Sequence, residues 1–209
     1  MTRPPAIILA GGRATRLGGG DKGLLDLDGR PMLARIIDRL APQCDGLALN
    51  ANGDPARFAR LGLPVLADGL PGLPGPLAGI LAGMDWAAAR GADRVVSVAG
   101  DTPFLPADLV ARLAAQEAEQ GNGIVLAASR DGTGAVVDHP VCGLWPVALR
   151  HDLLAFLQEG ERRVRRFAER HAATRAIWEA GAADPFFNVN TPGDLDRARV
   201  LAAQERPAG

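Results

Sequence analysis

The sequence predicts an α/β fold: one domain with helices on both faces of a mainly parallel sheet. Short apolar runs suited to buried strands alternate with segments whose apolar residues recur at helical spacing. Gly 26 and Pro 16 in 209 residues supply many short connections around those elements. A hydrophobic fraction of 47% is enough for a sizeable core and far from the composition of a disordered chain.

The elements follow in order. Ala6–Ala10 is an apolar run that breaks into glycine and reads as a first buried strand. Met32, Leu33, Ile36, Ile37 and Leu40 have helical spacing, with Pro31 at the start of the helix. Gly46–Asn50 is a second strand, Pro55–Leu61 a short helix, and Pro64–Ala67 a third strand closed by Asp68-Gly69. Three prolines and two glycines in Leu70–Pro76 forbid regular structure there. Leu77–Arg90 is helical, and its Gly79 and Gly83 suit close packing against a neighbour. Val95–Ala99 is a β-branched strand, and Pro106–Gln120 a helix. Strands over Ile124–Ala128 and Val141–Leu144 are followed by helices over Ala148–Leu157 and Val164–His171 and by a last strand over Ala176–Trp178. Pro192–Gln204 closes the chain as a helix, with Thr191 as N-cap and Pro192 at its first position. This order implies a doubly wound, Rossmann-like sheet.

Such sheets bind ligands beyond the carboxyl ends of their strands. That rule gathers Gly11–Lys22 after strand one, Asn50 and Asn52 after strand two, Asp68 after strand three and Asp101 after strand four. The first loop carries Arg13, Arg16 and Lys22 among six glycines (Gly11, Gly12, Gly18, Gly19, Gly20, Gly23). Glycines let backbone N–H groups approach an anion, and the cations supply charge for a polyphosphate. Gly18–Gly23 satisfies G-x-G-x-x-G, but it does not sit in the turn directly after the strand, as a dinucleotide site requires. Lys22 is followed by Gly23 rather than Ser or Thr, so the loop is not a Walker A motif. Asp101 is a hard oxygen ligand suited to Mg²⁺ alongside substrate phosphates, or else the cap of a turn before Pro103.

Composition excludes several classes. A net charge of −1 provides no global attraction to nucleic acid or to a membrane surface, and with 4% aromatic residues and no Tyr there is no platform for stacking bases. No stretch reaches the roughly 20 apolar residues of a membrane span. Arg3-Pro4-Pro5 before a run of only five apolar residues is not a signal-peptide pattern. Cys44 and Cys142 fit no metal spacing and are expected to be reduced, packed thiols in a cytoplasmic protein.

Leu9-Ala10-Gly11-Gly12 with Arg16, Gly18-Gly19 and Asp21-Lys22-Gly23 resembles the nucleoside-triphosphate transferase family. Further motifs point to its molybdenum cofactor guanylyltransferases: Asn50-Ala51-Asn52, Pro74-Gly75-Pro76-Leu77-Ala78-Gly79, Gly100-Asp101-Thr102-Pro103, His139-Pro140, Gly160-Glu161-Arg162-Arg163-Val164 and Asn188-Val189-Asn190-Thr191-Pro192. They run in family order over nearly the whole chain. The resemblance implies transfer of GMP from GTP to the terminal phosphate of molybdenum-bearing molybdopterin, with release of pyrophosphate. It implies that Leu9, Ala10, Gly11 and Gly12 hold the nucleotide through backbone, and that Lys22 meets its phosphates. Asn50 and Asp68 would hold the nucleoside, and Asp101 both nucleotide and Mg²⁺. Arg16 would help neutralise charge during transfer.

By the same resemblance, residues from about 6 to 101 form the nucleotide-binding half and those from about 102 to 200 the molybdopterin-binding half. Molybdenum-insertion proteins and recipient apo-molybdoenzymes would be partners. Arg162 and Arg163 lie in a basic run that is either a solvated helix start or a grip for the second substrate's phosphate. Asn188 and Asn190 flank Val189 in an extended context, so their side chains face the same way, toward the pterin or its phosphates or in turn chemistry before the last helix. Asp68 either reads guanine through N1–H and N2–H₂ or holds ribose hydroxyls. The rival readings are a cytidylyltransferase on the same cofactor, and a non-catalytic nucleotide-binding regulator, which would be expected to lack Lys22 or Asp101.

Overall fold

The computed structural model describes residues 3–12, 19–69, 75–121, 123–181 and 184–205. Its strands are β1 (Ala6–Leu9), β2 (Asp26–Leu27), β3 (Arg30–Pro31), β4 (Leu47–Asn50), β5 (Val65–Leu66), β6 (Arg94–Ala99), β7 (Val125–Arg130), β8 (Val136–Pro146) and β9 (Thr174–Glu179). Its helices are α1 (Met32–Leu40), α2 (Pro76–Ala89), α3 (Leu109–Gln120), α4 (Arg150–Gln158), α5 (Val164–Arg170) and α6 (Pro192–Gln204).

Seven strands form one sheet in the order β5-β4-β1-β6-β8-β7-β9. β1 pairs in parallel with β4 on one side and β6 on the other, and β7 with β9. Residues alternate between the two faces, as the pleat requires. Ala6 and Ile8 enter a core completed by Leu33, Ile36 and Leu40 of α1, Leu109 and Leu113 of α3, and Leu195 and Ala198 of α6. Ile7 points the other way, among Leu77, Ile80 and Met84 of α2, Leu153 and Phe156 of α4 and Phe167 of α5. The doubly wound α/β domain is as expected from sequence.

Gly79 and Gly83 do pack closely. A Cβ on Gly79 would fall 2.2 Å from Asn50 Oδ1, and one on Gly83 2.6 Å from Ile7 Cγ2. α2 therefore lies directly on β1 and β4. Residues 55–61 form the expected short helix, of 3₁₀ type, started by Asp54, whose carboxylate accepts from Ala56 N at 2.9 Å. Thr191 caps α6 as expected, and Asp194 completes a reciprocal capping box.

Two features depart from expectation. β8 begins at Val136 rather than at Val141 and runs antiparallel to both β6 and β7. Its pairing shifts register between Leu126 and Ala127, whose partners are Gly143 and His139, and Pro140 sits in the skipped stretch. Proline has no N–H for the ladder, so it belongs at such an irregularity. The second feature is the β2–β3 ribbon, absent from the sequence reading, which turns at Asp28 (φ 57) and Gly29 (φ 79). Asp-Gly is a strong signal for a turn of this kind, but two-residue strands show no alternation around it.

Both cysteines are buried free thiols, and burial pushes each pKa up to about 12. They are packed and unpaired with each other, as expected. Among the described residues no helix is long and apolar enough to cross a membrane.

Ser97 on β6 joins the sheet's parallel and antiparallel parts. Its hydroxyl donates to Val141 O and accepts from Trp145 Nε1 at 2.7 Å, with both Ser97 and Trp145 wholly buried. Ser97→Ala leaves a carbonyl and an indole N–H without partners and is expected to cost about 1–3 kcal/mol, read as a lower urea midpoint at unchanged slope.

Candidate active site

A cleft of about 450 Å³ opens beyond the carboxyl ends of β1, β4, β5 and β6. Leu9, Ala10, Gly11, Gly12, Lys22, Asn50, Asn52, Asp68, Gly100 and Asp101 all line it. The loops after four parallel strands thus converge, as their positions in the sequence implied. Arg13, Arg16 and Gly18 lie outside the described residues.

Each side chain has a local reason for its place. Lys22 N donates to Gly12 O at 3.2 Å, which brings the far end of the glycine-rich loop back to the end of β1. Gly23 follows because a Cβ there would come within 2.5 Å of Leu33 in α1. Gly100 donates its N–H to Leu9 O at 3.0 Å, and a Cβ on it would sit 2.8 Å from that same oxygen. Only glycine lets the chain cross β1 so closely before presenting Asp101.

Lys22 is the cleft's buried cation, 9% exposed. Its Nζ lies 2.6 Å from Asp101 Oδ2 and 2.6 Å from Asn190 Oδ1. Such a pair is weak evidence of stabilisation, because desolvation offsets much of the attraction. Its placement at a cleft floor suits function better. Arg57 Nε meets Asp21 Oδ2 at 2.9 Å, anchoring the residue before Lys22.

A second cluster forms the other wall. Asp68 Oδ1 accepts from Asn50 Nδ2 at 2.9 Å, and Asp68 Oδ2 from Asn52 Nδ2 at 2.7 Å. Asn52 Oδ1 in return accepts from Asp68 N at 2.9 Å. Asn50 is buried and also donates to Leu66 O, whereas Asp68 is half-buried. Asn52 was visible in the sequence within Asn50-Ala51-Asn52, yet its role as a clamp on Asp68 appears only once β4 and β5 lie side by side.

Val189 is wholly buried and donates its N–H to Asp101 O at 3.0 Å, and Asn188 and Asn190 are exposed on either side of it. Arg162 and Arg163 do not line the cleft. Arg162 Nη1 donates to Leu157 O and Glu161 O, both at 2.7 Å, and so closes the carboxyl end of α4. Arg163 is exposed at the start of α5. Farther along, Arg166 pairs with Glu161 and Arg175 with Asp138.

A Ser/His/Asp group stands apart from the cleft. Ser129 Oγ lies 2.8 Å from His139 Nε2 and 2.9 Å from Asp184 Oδ2. It is not a hydrolytic triad. Asp184 reaches the Nε2 side of the ring, at 3.6 Å, rather than holding Nδ1, and Ser129 is 1% exposed. Burial keeps the His139 pKa below its usual value despite the carboxylates of Asp184 and Asp138. The group ties the segment from Asp184 to β7 and β8.

The sequence profile of the MobA-like NTP transferase domain matches residues 6–175. The molybdenum cofactor guanylyltransferase of Bradyrhizobium sp. (strain ORS 278) is 53% identical over 98% of this chain and 95% of its own length. That of Rhodopseudomonas palustris (strain HaA2) is 56% identical over 97% of this chain and 94% of its own. Among solved structures, molybdopterin-guanine dinucleotide biosynthesis protein A from Archaeoglobus fulgidus matches with a TM-score of 0.68, at 21% identity over 96% of this chain and 99% of that one. At that identity the likeness is one of fold.

The Asn50–Asp68 contact can be tested without any ligand. Asn50→Ala removes a donor from Asp68 and from Leu66 O and is expected to cost about 1–3 kcal/mol. Asn50→Asp sets a carboxylate against Asp68, so one of the two protonates more readily in the folded chain than in the unfolded one. A folded pKa raised in this way gives stability that is present at low pH and lost as pH rises. The urea midpoint of Asn50→Asp should therefore fall further behind the parent's between roughly pH 4 and pH 7.

Proposed function

The chain belongs to the MobA-like NTP transferase family, and from that premise we propose that it transfers GMP from GTP to the terminal phosphate of molybdenum-bearing molybdopterin. An oxygen of that phosphate attacks the α-phosphorus of GTP, a new P–O–P linkage forms, and the bond to the β-phosphate breaks to release pyrophosphate. The observation that carries this reading is Lys22 against Asp101 on the floor of a cleft walled by strand-end backbone and by the Asn50–Asp68–Asn52 cluster.

The chemistry needs charge neutralisation above all, since one anionic phosphate approaches another. The attacking oxygen is already ionised, so no general base is required. Leu9, Ala10, Gly11 and Gly12 offer backbone to the nucleotide, Lys22 its ammonium to the phosphates, and Arg16 a further cation. Asn50 holds Asp68, and the Asp68 carboxylate receives guanine N1–H and N2–H₂.

Asp101 suits Mg²⁺ as the protein's hard oxygen ligand. Among the described residues there is no group of three or more His, Cys, Asp or Glu side chains that could cage a metal. Mg²⁺ commonly binds through one or two carboxylates with substrate phosphates completing its shell, which is the donor set this cleft and a triphosphate would make together. Bound there, it would neutralise phosphate charge and act as a Lewis acid on the transferring group.

The second substrate is assigned to the other half, from about residue 102 to 200. Asn188 and Asn190 stand on the segment that touches Asp101, and Arg163 offers a planar fork of donors suited to phosphate. Arg162 supports that surface while closing α4. A cytoplasmic site of action, with molybdenum-insertion proteins and apo-molybdoenzymes as partners, follows from the same reading.

Pyrophosphate release measured with molybdopterin and each of the four nucleotides tests the proposal. GTP should be preferred, and turnover with CTP alone would move the chain to cytidylyl transfer. Asp101→Asn keeps the shape and loses the charge, so turnover should fall on the order of 10³-fold or more. Asp68→Asn should erode the preference for GTP more than it weakens phosphate binding, because a mismatched base leaves buried polar groups unpaired. Equal weakening of all four nucleotides would place Asp68 on the ribose.

A further inference from the structure

Asn190 belongs by position to the second half of the chain, yet its side chain acts on the first. Its Oδ1 is 2.6 Å from Lys22 Nζ, across 168 residues of sequence. Lysine has only donors, so this contact fixes the amide with its oxygen toward Lys22. The ammonium then has one N–H for Asp101, one for Asn190 and one remaining.

Asn190 is itself held without help from Lys22. Its backbone N–H donates to Asp194 Oδ2 at 3.0 Å, and Thr191 N donates to the same oxygen at 2.8 Å. Asp194 N completes the cap on Thr191 Oγ1 at 3.2 Å. Those bonds hold the Asp194 carboxyl below its usual pKa, so the anchor is ionised near neutral pH. Upstream, buried Val189 is bonded to Asp101 O. The backbone of Asn190 is thus set by the cap of α6 and by the carboxyl end of β6, which leaves its short amide side chain two torsions, while Lys22 is a long chain with many rotamers.

We infer that Asn190 is a positioning residue for the nucleotide: it holds the Lys22 ammonium against Asp101 before GTP arrives, so the phosphates meet a prefixed cation. The inference rests on the nucleotide reading given above. It separates Asn190 from Asn188 and gives the second half of the chain a part in binding the first substrate. Without the amide, Lys22 keeps its charge but keeps more rotamers, and that freedom is lost only when phosphate binds.

Equilibrium binding of GTP to the full chain, with no second substrate present, tests this through a double-mutant cycle. Asn190→Ala is expected to bind GTP about tenfold more weakly, the scale of losing a hydrogen bond to a charged group. In a Lys22→Met background the same substitution should change nothing further, because the side chain it positions is gone. Asn190 is exposed, so the variants should fold, and equal unfolding temperatures check this. Asn190→Ser, too short to reach Lys22, provides a second variant with the same expected loss. Parental GTP affinity in Asn190→Ala, with a raised KM only for molybdopterin, overturns the inference and leaves the nucleotide reading standing. An equal loss with and without Lys22 also overturns it. A parent chain that binds no GTP overturns both.

Discussion

The register of β1 is the constraint on which the rest depends. Leu9, its last residue, lies opposite Asn50 of β4 on one side and Ala99 of β6 on the other. Three parallel strands therefore end level, and their connecting loops begin at one place. Ala10 N donates to Asn50 O at 2.8 Å and Gly100 N to Leu9 O at 3.0 Å, so the ladder continues one residue past the strands into the cleft wall. A slip of one residue would turn Ile7 and Ile8 to the wrong cores and carry Asp101 away from Lys22. The same burial of β1 on both faces that stabilises the sheet thereby aligns the polar groups at its end.

The polar groups are arranged in two ways. On one side a cation is paired to a carboxylate and an amide, so charge is available but already partly satisfied. On the other, the Asp68 carboxylate is held by two amides and, among the described residues, carries no cation among its hydrogen-bond partners. The first arrangement suits an anionic ligand group that displaces or joins existing contacts, and the second suits neutral donors such as those on a base. Asn50 and Asn52 hold the Asp68 side chain in place without neutralising it, an organisation that favours recognition by geometry over attraction by charge.

Much of this was legible in the sequence. Apolar runs mark the four strands whose ends form the cleft, since buried parallel strands are nearly continuous in hydrophobicity. Asn50, Asp68 and Asp101 stand at or just past the ends of such runs, Leu9–Gly12 at the break of the first, and Lys22 in the glycine-rich loop that follows it. The family resemblance rested on several spaced motifs rather than the glycine loop alone, and the profile match agrees with it. The start of β8 was hidden by Asp138 and Pro140, which resemble a loop until the register shift accommodates them. The grip of Asn190 on Lys22 and the clamp of Asn52 on Asp68 depend on chain crossings between elements far apart in sequence. Arg162 looked like a free cation because nothing local revealed that α4 ends beneath its guanidinium.

The segment leading to Asn190 carries Phe186, which packs edge-on against Trp178 at 5.2 Å and is stacked with His139 at 4.6 Å. Trp178 is in turn bonded through Nε1 to Asp108 at 2.8 Å. The chain has three tryptophans and no tyrosine, so its ultraviolet emission comes from indoles alone. One of them, Trp145, is sealed inside the sheet and insulated from events at the surface. Trp178 therefore makes the protein a natural optical gauge, in which a shift of the 184–190 segment alters indole emission without any attached dye.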